Sequence, residues 1–158
     1  MPYIIDGNNL IGCSPDISLE ESGAREKLLH IVRNYQEKRN NNVILFFDGE
    51  PENGLYREAV NQKFSIRYPR FGGSADEEIK QLLDSYHDYR DVVLVSSDRE
   101  LKTTAKKKGA KIVNSIEFYY RLKQAYRVGG RQEEKKKRIN TQLSENEVDH
   151  WMKIFQEG

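Results

Sequence analysis

A single cysteine, Cys13, is all that these 158 residues carry. That rules out an intramolecular disulfide and fits a reducing cytoplasm. Cys13 itself reads as a small packed side chain rather than a nucleophile. No stretch approaches the ~18–20 apolar residues of a membrane span. Asp6 interrupts the first apolar run too early for a secretory leader, so a soluble, cytoplasmic chain away from membranes is expected. Histidine is nearly as scarce. His30, His87 and His150 lie singly in helical segments, and with no His–Cys cluster each reads as a surface or satisfied histidine ahead of a metal ligand. The segment "DGNNLIG" after the first strand lacks the G-x-G-x-x-G of dinucleotide-binding enzymes. An aspartyl-phosphate enzyme would want a second acid two residues after Asp6, where Asn8 stands.

What is present is an ordinary globular composition, 37% apolar and 32% charged, long enough to bury one core. The net charge of +1 conceals a division. Residues 1–98 hold 11 Lys and Arg against 17 Asp and Glu; residues 99–158 hold 15 against 8. An acidic half suits a cation, and a basic half suits a polyanion.

Along the chain, short apolar strands alternate with helical patterns. "PYIID", "VILFFD" (43–48), "KFSIRYP", "DVVLVSSD" and "AKIVN" read as strands. Ala24, Leu28, Ile31, Val32 and Tyr35 recur at helical spacing after a Ser18–Glu21 capping box. A second box, Ser74–Glu77, opens a helix through Tyr86. Further helices follow over 99–108 and from "SIEFYYRLKQAY", in which "FYY" (118–120) reads as core ahead of a stacking surface. The segment "RVGGRQEEKKKRINTQ" has little apolar surface and reads as a mobile linker, and residues 144–158 as an amphipathic helix. The expected organisation is a domain over 1–126, a basic linker over 127–143 and a terminal helix over 144–158. The expected fold is a doubly wound α/β sandwich on a mainly parallel sheet.

Three of those strands end on an aspartate: Asp6, Asp48 and Asp98. In a parallel sheet the carboxyl ends share one edge, where ligands bind at the topological switch point. Asp76, in the first turn of the "SADEEI" helix, can join them. Singly, each acid has an ordinary role as a helix cap or turn former. Together they are hard to explain that way, since two like charges 4 Å apart repel by ~4 kcal/mol at an effective dielectric of 20. A bound cation relieves that repulsion, and all-oxygen ligands select Mg²⁺ or Mn²⁺.

The stretches "IIDGNNLIG", "FFDGE", "SADEEI" and "SSDREL", in this order, resemble the YacP-like branch of the NYN domains, within the PIN-like ribonuclease superfamily. The resemblance covers roughly residues 2–125. It implies a PIN-like three-layer α/β/α sandwich and a metal-dependent endoribonuclease cutting single-stranded RNA, leaving 5′-phosphate and 3′-hydroxyl ends. It places the functional positions at Asp6, Asn9, Asp48, Asp76 and Asp98. On that basis Asp6 and Asp98 are expected as direct ligands of Mg²⁺ or Mn²⁺, and Asp48 as a further ligand or a structural acid. Asp76 is expected to complete the shell or orient water, and Asn9 to orient Asp6 or the scissile phosphate. Ser96 and Ser97 offer hydroxyls either to a phosphate or to their own turn.

The basic segment then reads as a track for the RNA backbone beside the crevice, through Lys106, Lys107, Lys108, Arg131, Lys135, Lys136, Lys137 and Arg138. Arg67, Arg70 and Phe71 form a second candidate rim. A basic tail with a terminal helix also suits docking on a ribonucleoprotein such as the ribosome. The competing reading is a non-catalytic RNA-binding module that kept the fold without the metal.

Overall fold

The structure is a computed structural model that describes residues 2–70, 72–86 and 91–137. Phe71, His87, Arg138, His150 and the expected terminal helix lie outside those residues. The first strand, β1 (Pro2–Asp6), runs directly into α1 (Gly7–Cys13), followed by α2 (Ala24–Arg39) and β2 (Asn42–Phe46). A hairpin of β3 (Arg57–Asn61) and β4 (Phe64–Arg67) leads to α3 (Ala75–Ser85). Then come β5 (Val93–Val95), α4 (Arg99–Lys107), β6 (Lys111–Val113) and α5 (Ser115–Lys137).

The six strands lie in the order β3-β4-β2-β1-β5-β6, parallel except for β3. From β1 the chain first builds outward through β2 and β4, then returns to add β5 and β6 on the other side. The point of return is the gap between β1 and β5. Alternation along the strands sends Ile5, Leu45, Val93 and Val95 into a core with α1, α2 and α5. Ile4, Phe46 and Leu94 face the other way, onto α3 and α4. This is the expected three-layer sandwich. Phe118 and Tyr119 are fully buried, so "FYY" is core at its first two positions.

Local chemistry explains most boundaries. Asn40, in the left-handed region at φ 54°, closes α2, a conformation Asn tolerates better than most residues. The Ser18–Glu21 box does form, with the Ser18 N–H donating to Glu21 Oε1 at 2.7 Å, but it folds a turn. The helix starts only at Ala24, because Gly23 sits at φ 81° and no helix passes through that conformation. The Ser74 box caps as expected. The Glu77 N–H donates to Ser74 Oγ at 3.2 Å, so Ser74→Ala should lower stability by about 1 kcal/mol, read as a shifted urea midpoint.

Two features depart from expectation. The strand β3, "REAVN", is too polar to stand out, and it forms because it pairs antiparallel with β4 at the sheet margin. From residue 127 the expected linker is instead a continuation of α5 as far as Lys137. Gln, Glu, Lys and Arg are strong helix formers, and their propensity offsets the cost of Gly129 and Gly130.

Candidate active site

Asp6 ends the central strand and is 4% exposed. Its Oδ1 accepts the Asn9 N–H at 3.4 Å, capping α1. That cap makes "DGNN" a strand-to-helix junction with no intervening loop. Gly7 is required there, since a Cβ would lie 2.6 Å from the Phe46 carbonyl oxygen and 2.7 Å from the Phe47 ring. Burial, reinforced by the negative charges of Asp76, Asp48 and Asp98, pushes the Asp6 carboxyl up to about 6.

The other acids reach the same edge from separate elements. Asp48 follows β2, and its Oδ1 accepts the Ala75 N–H at 2.8 Å, fastening the start of α3. Its own N–H donates to Asn8 Oδ1 at 3.0 Å, a contact that sequence reasoning missed. Asp98 follows β5 and caps α4, accepting the Leu101 N–H at 3.0 Å. Asp76, in the first turn of α3, is raised by partial burial and by the charges of Asp98 and Asp48, while Lys80 opposes the rise. Lys80 in turn pairs with Glu100 at 2.5 Å, tying α3 to α4 beside the acids.

The Asn9 side chain is a hub. Its Oδ1 accepts from the Ser97 N–H at 2.8 Å and from Ser115 Oγ at 2.6 Å. Asn9 therefore positions the loop that carries Asp98. Ser96 and Ser97 serve that loop as well: Ser96 Oγ accepts the Asp98 N–H at 3.0 Å, and Ser97 Oγ the Ser115 N–H at 3.1 Å. Nothing in the local sequence marks Ser115, whose role depends on β6 ending beside β5.

The donor chemistry fits a hard divalent cation. The charges of Asp48, Asp76 and Asp98 reach Asp6, and those of Asp48 and Asp98 reach Asp76, with no histidine or cysteine among these groups in the described residues. Among the described residues no three such side chains stand close enough to form a ready-made metal cage. One oxygen each of Asp6, Asp48 and Asp98 is held by a backbone N–H, which fixes the carboxylates in place.

The basic residues are not beside this edge. Lys106, Lys107 and Lys108 stand at the far end of α4, about 13 Å along its axis from Asp98. Lys108 pairs there with Asp84, at 2.5 Å. Residues 131–137 lie about 24–33 Å along α5 from Ser115, which is at the acidic edge. Nearness in sequence is undone by the direction of the helices, which carry Lys106–Lys108 and residues 131–137 away from the acidic edge. Arg67, by contrast, ends β4 opposite Phe46, on the acidic side.

Comparison with known proteins agrees with this architecture. The family model described as "YacP-like NYN domain" matches residues 3–156, so the match continues past residue 126. "Uncharacterized protein YacP" of Bacillus subtilis (strain 168) is 32% identical over 85 residues, 50% of this chain and 49% of the relative. The matched region thus spans about half the length of that relative. The crystal structure of Rae1 (YacP) from Bacillus subtilis is similar at a TM-score of 0.70 and 22% identity, over 100% of this chain and 95% of that one. A mutant of the same protein gives 0.70 and 21%, over 93% and 89%. Those two likenesses bear on the fold alone. No helix among the described residues is long and apolar enough to cross a membrane. From the match of nearly its whole length, the chain belongs to the YacP-like NYN domain family, with the PIN-like nuclease fold that membership implies.

Proposed function

We propose that this chain is a metal-dependent endoribonuclease acting on single-stranded RNA, with Mg²⁺ or Mn²⁺ held by Asp6, Asp48, Asp76 and Asp98. The observation that carries the reading is the convergence of four aspartates, from three strand ends and one helix start, on one edge, where burial first and the charges of Asp76, Asp48 and Asp98 after it raise Asp6 to about 6. A divalent ion bound there would offset that repulsion, acidify water and stabilise charge at the phosphate. Asp6 and Asp98, anchored through one oxygen each, are the direct ligands. Asp76 completes the shell or orients water. Asp48 couples the shell to the start of α3, and Asn9 holds the Asp98 loop in register.

The test uses a 5′-labelled single-stranded RNA with Mn²⁺, with EDTA, and with the Asp98→Asn chain. EDTA should abolish cleavage, and Asp98→Asn should slow it more than about 100-fold while keeping the native circular dichroism spectrum, because an amide oxygen can still cap α4. Products should carry 5′-phosphate and 3′-hydroxyl ends. Cleavage that persists in EDTA, or at the native rate in Asp98→Asn, would sink the assignment.

The separation of Lys106–Lys108 and residues 131–137 from the acids supports a division of labour in which the basic segment grips a structured polyanion such as the ribosome and the acidic edge receives a strand. The full chain should co-sediment with ribosomes in a salt-sensitive way, and a chain ending at residue 126 should not.

A further inference from the structure

Beside Asp48, on the α2 face of the sheet, lies a cavity of about 170 Å³ that the proposed chemistry does not use. Its floor holds the Phe47 ring, fully buried, and the half-buried Tyr68 ring, with centroids 5.8 Å apart. The Arg25 guanidinium lies 5.6 Å from the first centroid and 5.1 Å from the second. Its orientation is fixed: Nη2 donates to the Asp48 carbonyl at 2.6 Å and Nη1 to the Glu50 carbonyl at 3.1 Å. The rim carries Glu52, Asn53 and Glu58. Asn53 gives one N–H to Glu58 Oε2 at 3.3 Å and accepts the Leu55 N–H at 3.0 Å. With Glu26 also in the lining, carboxylate acceptors predominate around the opening.

We propose that this cavity is a base-reading subsite of the catalytic edge, taking one unpaired guanine of the RNA. The proposal rests on the nuclease reading above. Unpaired bases are recognised by stacking on aromatic or guanidinium planes and by hydrogen bonds to their Watson–Crick edge. Here the plane is the Arg25 guanidinium, backed by Tyr68 and the buried Phe47, and the hydrogen-bond acceptors are the rim carboxylates. The carboxylates of the lining select among the bases. Guanine presents two adjacent donors, N1–H and the N2 amino group. Uracil presents one N–H flanked by two carbonyls that a carboxylate repels. Adenine and cytosine each present one amino group next to a bare ring nitrogen. The placement also suits a strand crossing the sheet edge. Phe47 and Asp48 are consecutive, with Phe47 in the core on the α2 side and the Asp48 carboxylate turned to α3. A base can thus enter one face while its phosphate lies over the acids on the other.

The test is equilibrium binding of the native chain, in Ca²⁺ buffer at low salt, to fluorescent oligo-uridine carrying one central G, A, C or U. The G oligonucleotide should bind about tenfold more tightly than all-U, the scale of one bidentate base contact. Glu58→Gln and Glu52→Gln should lower that ratio by weakening binding of the G oligonucleotide and, with the repelling charge gone, should not weaken all-U, a change that a merely structural role would not produce. Equal affinity for all four, or a preference untouched in both variants, overturns the proposal. RNA cut without base preference would sink the subsite alone. A guanine preference without Mn²⁺-dependent cutting would keep the subsite and sink the nuclease. No RNA binding at all would remove both.

Discussion

Asp6→Asn should cut RNA more than about 100-fold slower than the native chain and, in metal-free buffer at neutral pH, should be the more stable of the two. The loss follows from removing a ligand. The gain follows from burial. A carboxylate raised from 3.8 to about 6 by folding is held in a place that disfavours its charge, which costs on the order of 3 kcal/mol once it is ionised. The sign is fixed by proton linkage. Below pH 4 the acid is protonated, folded or unfolded, and nothing is lost. As the pH rises from 4 to 6 the unfolded chain releases its proton first, so native stability declines. Above 6 the loss is complete. The amide carries no charge and still offers an oxygen to the Asn9 N–H. Urea titrations of the two chains at several pH values should therefore diverge between pH 4 and 6, with Asp6→Asn ahead at neutral pH. Mn²⁺ should reverse the order by stabilising only the native chain. Parallel pH dependences would show that Asp6 is not strained, and the case for a cation there would go with that.

Gly7→Ala should lower stability by about 1–3 kcal/mol and silence the site. The added methyl would meet the Phe46 carbonyl and the Phe47 ring inside van der Waals contact. Neither can retreat, since Phe46 lies opposite Asp6 in the central ladder and Phe47 is packed in the core. Overpacking against a fixed backbone is costly, and here it displaces the residue between Asp6 and Asn8. Gly12 in the same helix is the control. Its Cβ would touch only Leu19 Cδ1, at 3.5 Å, so Gly12→Ala should be neutral or mildly stabilising through helix propensity. Urea midpoints of the two variants make the comparison. If Gly7→Ala matches Gly12→Ala, the junction is looser than described.

The convergence of the aspartates was legible in the sequence because its signal is both local and repeated. An apolar strand that ends on an acid can be read without knowing the strand order, and parallel sheets align such ends. The Ser74 cap was legible for the same reason, since box and helix lie within four residues. The basic track was not. Lys106–Lys108 follow Asp98 by only eight to ten residues, yet α4 carries them to its far end, about 13 Å away. The hub at Asn9 escaped as well. Its partners, Ser97 and Ser115, are 88 and 106 residues away and meet it only because β1, β5 and β6 lie side by side. Segment 127–137 was misjudged because absence of apolar residues was taken as absence of structure, whereas charged helix formers need no core to stay helical.

The margins of the sheet have a consequence for solubility. One is β3, which starts Arg57–Glu58 and whose register slips between Ala59 and Asn61. The other is β6, three residues long and opening on the exposed Lys111. A ladder of unpaired amides is an invitation to intermolecular strand addition, and charge, brevity and broken register are the devices that withdraw it. The parallel strands between them, apolar enough to aggregate if bared, are kept from meeting a second copy of themselves.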